Sequence, residues 1–308
     1  MKILGGSLLS PLAHRGLSGR AKVSAAFEAY FRNKKYLEGS SLVQNRYEAG
    51  QRNGVSTEDI AKFEVGGAIA LLVNTTPAVF WTLLHIYSDK NLLSDVREEI
   101  DAVTKVVTLR NGQSAHCIDV SSVRTSCSLL TSAFQETLRY RSMGTSVRQV
   151  MQDTMLDERW LLKGNAMVHM PNYIIHRDEA LWGPDADVFN PRRFMKGGKS
   201  HATSTKRTNP AAFRAFGGGT TLCPGRHFAT NEVLAFATIF LARYDLRPVN
   251  GNWYFPTFEN TNVAAVIMEP DYDIVVEVSE RRGYEEASWK FTLDNENSTF
   301  AVAAEDKM

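Results

Sequence analysis

Cys223 stands in the run Phe216-Gly217-Gly218-Gly219-Thr220-Thr221-Leu222-Cys223-Pro224-Gly225-Arg226. Glycines at 217, 218 and 219 allow a tight turn and let the backbone approach a flat ligand closely, because no Cβ intervenes. Gly225 keeps space open just after the sulfur. The apolar segment that follows reads as a helix, and its first turn aims free N–H groups and the positive end of its dipole back at the loop. Such surroundings favour an anionic sulfur, so the run describes a thiolate offered to a metal. Cys117 and Cys127 lack flanks of this kind and read as ordinary thiols. Three cysteines in 308 residues fit a reducing compartment.

Further chemistry-bearing residues fall on predicted helices. Glu136 and Arg139 close an apolar-periodic segment with Leu129, Leu130, Ala133, Phe134 and Leu138, and a spacing of three puts the two charges on one face. Ser56 with Asp59 is a capping-box pattern that opens a long helix. From Val65 to Ile86 no residue carries a formal charge, over 22 positions. That length also suits a membrane span of ~20 residues. Against a span stand Gly66, Gly67, Asn74, Thr75, Thr76, Pro77 and His85, since unpartnered polar groups in lipid are costly. A helix through the centre of a large domain is apolar all round, and a buried core helix is expected here. Pro77 has no N–H to give the carbonyl of Val73, so the helix should open around 73–77 and present Asn74 and Thr75.

These residues resemble the cytochrome P-450 superfamily, the haem-thiolate monooxygenases. Its haem-binding signature Phe-Gly-x-Gly-x-x-x-Cys-x-Gly-Arg is met by Phe216, Gly217, Gly219, Cys223, Gly225 and Arg226. Most members carry Arg or His two residues before the cysteine, against a haem propionate, where this chain has Thr221. Glu136-Thr137-Leu138-Arg139 is similar to the family's Glu-x-x-Arg, and Phe189-Asn190-Pro191-Arg192-Arg193-Phe194 to its Phe-x-Pro-x-Arg-Phe. The resemblance implies a buried triad of Glu136, Arg139 and Arg193 beneath the haem loop. His176-Arg177-Asp178, Trp182-Gly183 and Asp185-Ala186 match the usual lead-in. Asn74-Thr75-Thr76-Pro77-Ala78 with Phe80-Trp81 resembles the sterol 7α-hydroxylase and prostacyclin synthase branch, with Asn74 where most members have an acid. An arginine in the strand after the Glu-x-x-Arg helix commonly reaches a propionate in the family. Arg148, 12 residues after Glu136, is set for that task or for a strand-edge surface position. His169 and His176 have no partner at metal-ligand spacing and read as structural.

Hydrophobic residues make up 44% and charged ones 22%, as in a core-forming globular protein. A net charge of +1 gives no broad attraction for nucleic acid. Arg192, Arg193, Lys196, Lys199, Lys206 and Arg207 form a basic cluster, read either as a solvated meander or as a docking face for an acidic electron-transfer partner. Helices are expected near 21–37, 40–51, 57–87, 92–105, 124–140 and 226–243, and strands near 147–151, 159–162, 166–171 and 263–278. The fold class expected is mainly α with small β-sheets, a cytochrome P-450 fold truncated at its N-terminus. Residues 1–308 then form one domain, the C-terminal part of the catalytic domain, with a tail that frays from about 282. The opening run from Ile3 to Ala13 is too short and too broken for an anchor.

The resemblance implies a monooxygenase that inserts one oxygen atom of O2 into an apolar sterol, fatty acid or terpenoid. Haem b would be ligated by Cys223, Thr75 and Asn74 would serve the oxygen side, and electrons would come from an NADPH-dependent reductase. In the family the setting is the cytosolic face of the endoplasmic reticulum. Two other readings stand beside it. Asn74 in place of an acid fits a redox-neutral isomerase or dehydratase of the prostacyclin synthase type, and the short length fits a truncated, non-catalytic homologue.

Overall fold

A computed structural model describes residues 14–195, 209–262, 265–285 and 287–292. The chain falls into two units, residues 1–74 and 75–308. In the first, α1 (His14–Arg32) packs along α3 (Thr57–Leu72), with a 3-10 turn at Lys35–Glu38 and α2 (Ser41–Arg52) between them in sequence. Phe31, Ile60 and Ala61 form its small core, and Tyr47 stacks on Phe31 at 4.7 Å between ring centroids. The capping box forms as expected: Ser56 Oγ accepts from the Asp59 N–H at 3.1 Å and donates to the Asp59 carboxylate at 2.9 Å.

In the second unit, α4 (Thr75–Ser88) lies against α7 (Ser128–Arg141) and α10 (Arg226–Arg243). Helices α5 (Lys90–Val103) and α6 (Val120–Ser126) complete the bundle, and α8 (Asn172–Ile175) and α9 (Glu179–Trp182) are single turns. The main core joins Ala78, Trp81, Leu84 and Ile86 of α4 to Leu130, Ala133 and Phe134 of α7 and to Leu234, Ala237 and Leu241 of α10. The sheets are small. β1 (Lys105–Thr108) pairs antiparallel with β2 (Ser114–Asp119), β3 (Thr145–Gln149) with β6 (Met167–Pro171), and β4 (Thr154–Leu156) with β5 (Trp160–Leu162). β7 (Tyr244–Pro248) pairs with β8 (Val276–Glu280), and β9 (Ser288–Thr292) adds to β2 in parallel.

Several expectations need correction. The helix foreseen at 57–87 is two helices, α3 and α4, separated by a turn at Val73-Asn74, which is where Pro77 withdraws its hydrogen bond. Burial all round holds for α4, whereas α3 buries only Ile60, Ala61 and Val65 and leaves Phe63 and Leu72 exposed. The segment 124–140 breaks at Cys127, which caps α6 and starts α7. The strand foreseen at 263–278 begins only at Val276, and residues 263–264 lie outside the described residues. Before it, the Asp271 carboxylate accepts from the N–H groups of Glu259 and Asn260 at 2.9 Å each, which fixes a loop where a ladder was expected. The polar stretch from about 282 carries β9, and residues 293–308 lie outside the described residues.

Candidate functional site

The last turn of α7 brings Glu136 and Arg139 together, as their spacing requires. Arg139 Nε donates to Glu136 Oε2 at 2.7 Å and Nη2 to Oε1 at 2.8 Å, and both side chains are fully buried. Arg193 Nε donates to both carboxylate oxygens at 3.1 Å, and the Asn190 N–H reaches Oε1 at 2.9 Å. The second positive charge is met by Asp185, whose oxygens accept from Arg193 at 3.0 and 3.1 Å. Burial works against both of these ions. Even so, Arg193 holds the Asp185 carboxyl below its ordinary range, and Glu136 and Asp185 hold the Arg193 guanidinium above its own. The remaining Arg139 donors meet the carbonyls of Ala186 at 2.8 Å, Val188 at 3.3 Å and His176. Two cations, two anions and a ring of carbonyls therefore satisfy one another, and the meander at 182–194 is pinned to α7.

His176 carries this order forward. Its Nε2 accepts from the Arg214 N–H at 3.0 Å, so Nδ1 must bear the proton that it shares with the Arg139 carbonyl, also at 3.0 Å. Burial first, and the charge of Arg139 among the later causes, push its pKa down to about 3. Asn172 Nδ2 adds bonds to the Arg214 carbonyl at 3.0 Å and to Ser142 Oγ at 2.9 Å. The Arg214 carbonyl in turn accepts from the Gly217 N–H at 2.9 Å. A chain of hydrogen bonds thus runs from the triad to the first glycine of the cysteine loop. His176 is structural, as its spacing indicated, but its two partners at 139 and 214 are invisible in the sequence.

The cysteine loop folds as the glycines foretell. Gly217 and Gly219 have φ of +83° and +60°, and a Cβ at Gly217 would stand 3.0 Å from the Thr221 carbonyl. A Cβ at Gly219 would meet nothing within 4 Å, so that side of the turn is open. The Cys223 N–H donates to the Phe216 carbonyl at 2.9 Å, which closes the loop. Gly225 caps α10, and a Cβ there would lie 3.9 Å from the sulfur. The thiol is half-buried, and Phe216 packs at the edge of the core that contains Ala78 and Trp81 of α4. Arg148, on β3, reaches the same loop: Nη2 donates to the Gly218 carbonyl at 3.3 Å and to Thr221 Oγ1. It forms no ion pair with any carboxylate of the described residues.

Thr75 opens α4 and Asn74 lies in the turn before it, both half-buried, with Asn74 in the first unit and Thr75 in the second. Sequence reasoning did not single out Arg141, a buried guanidinium stacked 3.7 Å over the Trp81 ring and drawn down to about 10 by burial. Of the basic cluster, Arg192 pairs with Asp95 on α5 and Arg193 belongs to the triad. Lys196, Lys199, Lys206 and Arg207 lie outside the described residues. Among the described residues no group of three or more His, Cys, Asp or Glu could hold a metal ion, and Cys223 stands as one half-buried sulfur on an open turn. That donor set fits haem, whose iron takes four ligands from the macrocycle and one from the protein. The open glycine turn would give the macrocycle room, and Arg148 offers a cation with no acid beside it among the described residues.

A cysteine on a glycine turn at a helix start, linked to a buried Glu-Arg-Arg triad, is the arrangement that the sequence motifs of haem-thiolate proteins led one to expect. The cytochrome P450 family model matches residues 33–276, and the chain belongs to that family. It is similar to cytochrome P450 monooxygenase nodJ of Hypoxylon pulicicidum, at 36% identity over 94% of this chain and 57% of that protein. A cytochrome P450 monooxygenase of Gibberella zeae is 30% identical over 82% of this chain and 49% of its own length. The 25-hydroxycholesterol 7-alpha-hydroxylase of Rattus norvegicus is 29% identical over 68% of this chain and 52% of its own. The chain spans about half the length of the curated relatives it matches. Sterol 7α-hydroxylases stand among these relatives, the branch to which Asn74-Thr75-Thr76-Pro77 pointed.

Proposed function

We propose that residues 1–308 correspond to the C-terminal, haem-binding part of one P450 catalytic domain, and that the protein inserts one atom of O2 into an apolar small molecule. The observation that carries this reading is the joined architecture of loop and triad, in which one continuous set of hydrogen bonds fixes the backbone that presents Cys223. Cys223 would hold haem through its sulfur, and Phe216, Gly217, Gly219 and Gly225 shape the loop around it. Haem b, when bound, supplies the activation of dioxygen. Arg148 would hold a carboxylate of that group. Glu136, Arg139 and Arg193 touch no reactant and keep the proximal scaffold rigid.

Thr75 would supply a hydroxyl that holds and passes a proton at Oγ1. Asn74 cannot relay a proton as a carboxylate does and serves as a hydrogen-bonding partner. The substrate is a sterol, fatty acid or terpenoid, a class supported by the sterol name of one relative. Electrons come from an NADPH-dependent reductase at the cytosolic face of the endoplasmic reticulum. The test is reconstitution of the full chain with haem, reductase and NADPH. NADPH-dependent oxygenation that disappears in Cys223→Ala supports the proposal; turnover of a peroxide without reductase supports the redox-neutral alternative motivated by Asn74 and overturns it. Thr75→Val should lower product per NADPH consumed by about ten- to a hundredfold, the worth of one hydrogen bond to a charged group.

A further inference from the structure

Thr221 occupies the position two residues before the cysteine, and nothing assigns it a task. Its hydroxyl accepts from Arg148, a residue 73 positions away, and donates to the Gly218 carbonyl at 3.4 Å. A hydroxyl has one hydrogen and two lone pairs, so these two roles are compatible. Arg148 Nη2 bonds the same Gly218 carbonyl at 3.3 Å, and Nη1 bonds the Val147 carbonyl at 2.9 Å. The backbone of Arg148 is fixed by its register opposite Val168 in the β3–β6 pair. These three contacts use three of the five N–H groups of a guanidinium and leave two, together with its whole charge, for another ligand. No carboxylate of the described residues takes them.

We propose that Thr221 is a positioning residue that locks Arg148 onto the rim of the cysteine loop, so that this one arginine supplies the cationic contact for a cofactor carboxylate. The proposal rests on the haem-thiolate reading of Cys223. Its logic is pre-organisation: a long flexible side chain loses rotamer freedom before the ligand arrives, and the anion then meets a fixed fork. Threonine achieves this without bringing a second charge. Valine at 221 has the same shape and no acceptor, whereas serine keeps the acceptor and loses only a methyl group.

The experiment compares the full chain with Thr221→Val, Thr221→Ser, Arg148→Gln and the Thr221→Val/Arg148→Gln double variant. Each is loaded with protohaem or with its dimethyl ester, and haem loss to an excess of apomyoglobin is timed. With protohaem, Arg148→Gln should release about 10- to 100-fold faster and Thr221→Val about 5- to 10-fold faster, as expected for contacts to a charged group. Thr221→Ser should stay within about twofold of the parent, and Thr221→Val should add nothing once Arg148 is gone. With the ester, whose carboxylates are masked, all the proteins should release alike. The proposal is overturned if Thr221→Val acts as strongly without Arg148, if serine fails as valine does, or if the ester shows the same differences. A reduced, carbon-monoxide spectrum of the parent is recorded first. If it lacks a thiolate signature, the reading of Cys223 fails and takes the proposal with it; a thiolate signature with no Thr221 effect overturns the proposal alone.

Discussion

The triad and the cysteine loop are neighbours in one hydrogen-bonded chain, yet they are built on opposite electrostatic plans. Around Glu136 each charge has a countercharge and each donor a carbonyl, with side-chain exposure of 0% for Glu136 and Arg139 and 5% for Arg193. At the loop the sulfur is half-buried, the glycines leave space, and among the described residues Arg148 has carbonyl and hydroxyl partners but no acid. A set that satisfies itself has nothing left to offer a ligand, and it serves to hold backbone. A set left open keeps charge and donors in reserve for a ligand to meet.

The contrast breaks most readily at the triad. Glu136→Ala would leave two buried guanidiniums facing each other and should cost about 3–5 kcal/mol, read as a lower midpoint in urea unfolding. If the loss is under about 1 kcal/mol, the triad is not the brace described here. The next effect in size is acid sensitivity. His176 and His85 are both held neutral by burial, each with a pKa near 3, while the unfolded chain protonates them near 6.5. The unfolded state therefore binds more protons between those values, and stability is full above pH 6.5 and falls as pH drops toward about 3. His85→Phe keeps the ring stacked on Phe189, now 3.6 Å away, and should reduce the slope of stability against pH near 5 by about one proton. An unchanged slope would mean His85 is charged in the fold. The smallest effect on stability belongs to the rim. Arg148→Gln should shift unfolding by less than about 1 kcal/mol, because no ion pair is lost, while haem retention falls sharply. A large loss of stability would make Arg148 part of the brace and erase the contrast.

Local chemistry made much of this legible. Glu136 and Arg139 are three residues apart on one helix, the glycines at 217 and 219 demand the backbone they adopt, Ser56 and Asp59 cap α3, and Pro77 lies just past the break at Val73-Asn74. Contacts between distant segments were another matter. The Arg148–Thr221 bond, the His176 bridge between 139 and 214, and the parallel pairing of β9 with β2 join segments that no periodicity relates. Partners of this kind are chosen by tertiary packing, which overrides local preference, as the loop at 265–275 does for an apolar stretch that read as strand. The short strands expected near 147–151, 159–162 and 166–171 form as β3, β5 and β6, whereas β1, β2, β4, β7 and β9 were not foreseen, since a run of three to six residues carries little signal of its own.

On the reading proposed above, Cys223 meets haem as a thiolate. The most direct test is the reduced, carbon-monoxide-bound absorption spectrum of the full chain supplied with haem, beside Cys223→Ala. Thiolate ligation gives a strongly red-shifted Soret band in the parent that is lost in the variant. A Soret band at the position of thiol- or histidine-ligated haem, or the same band in both proteins, would contradict it.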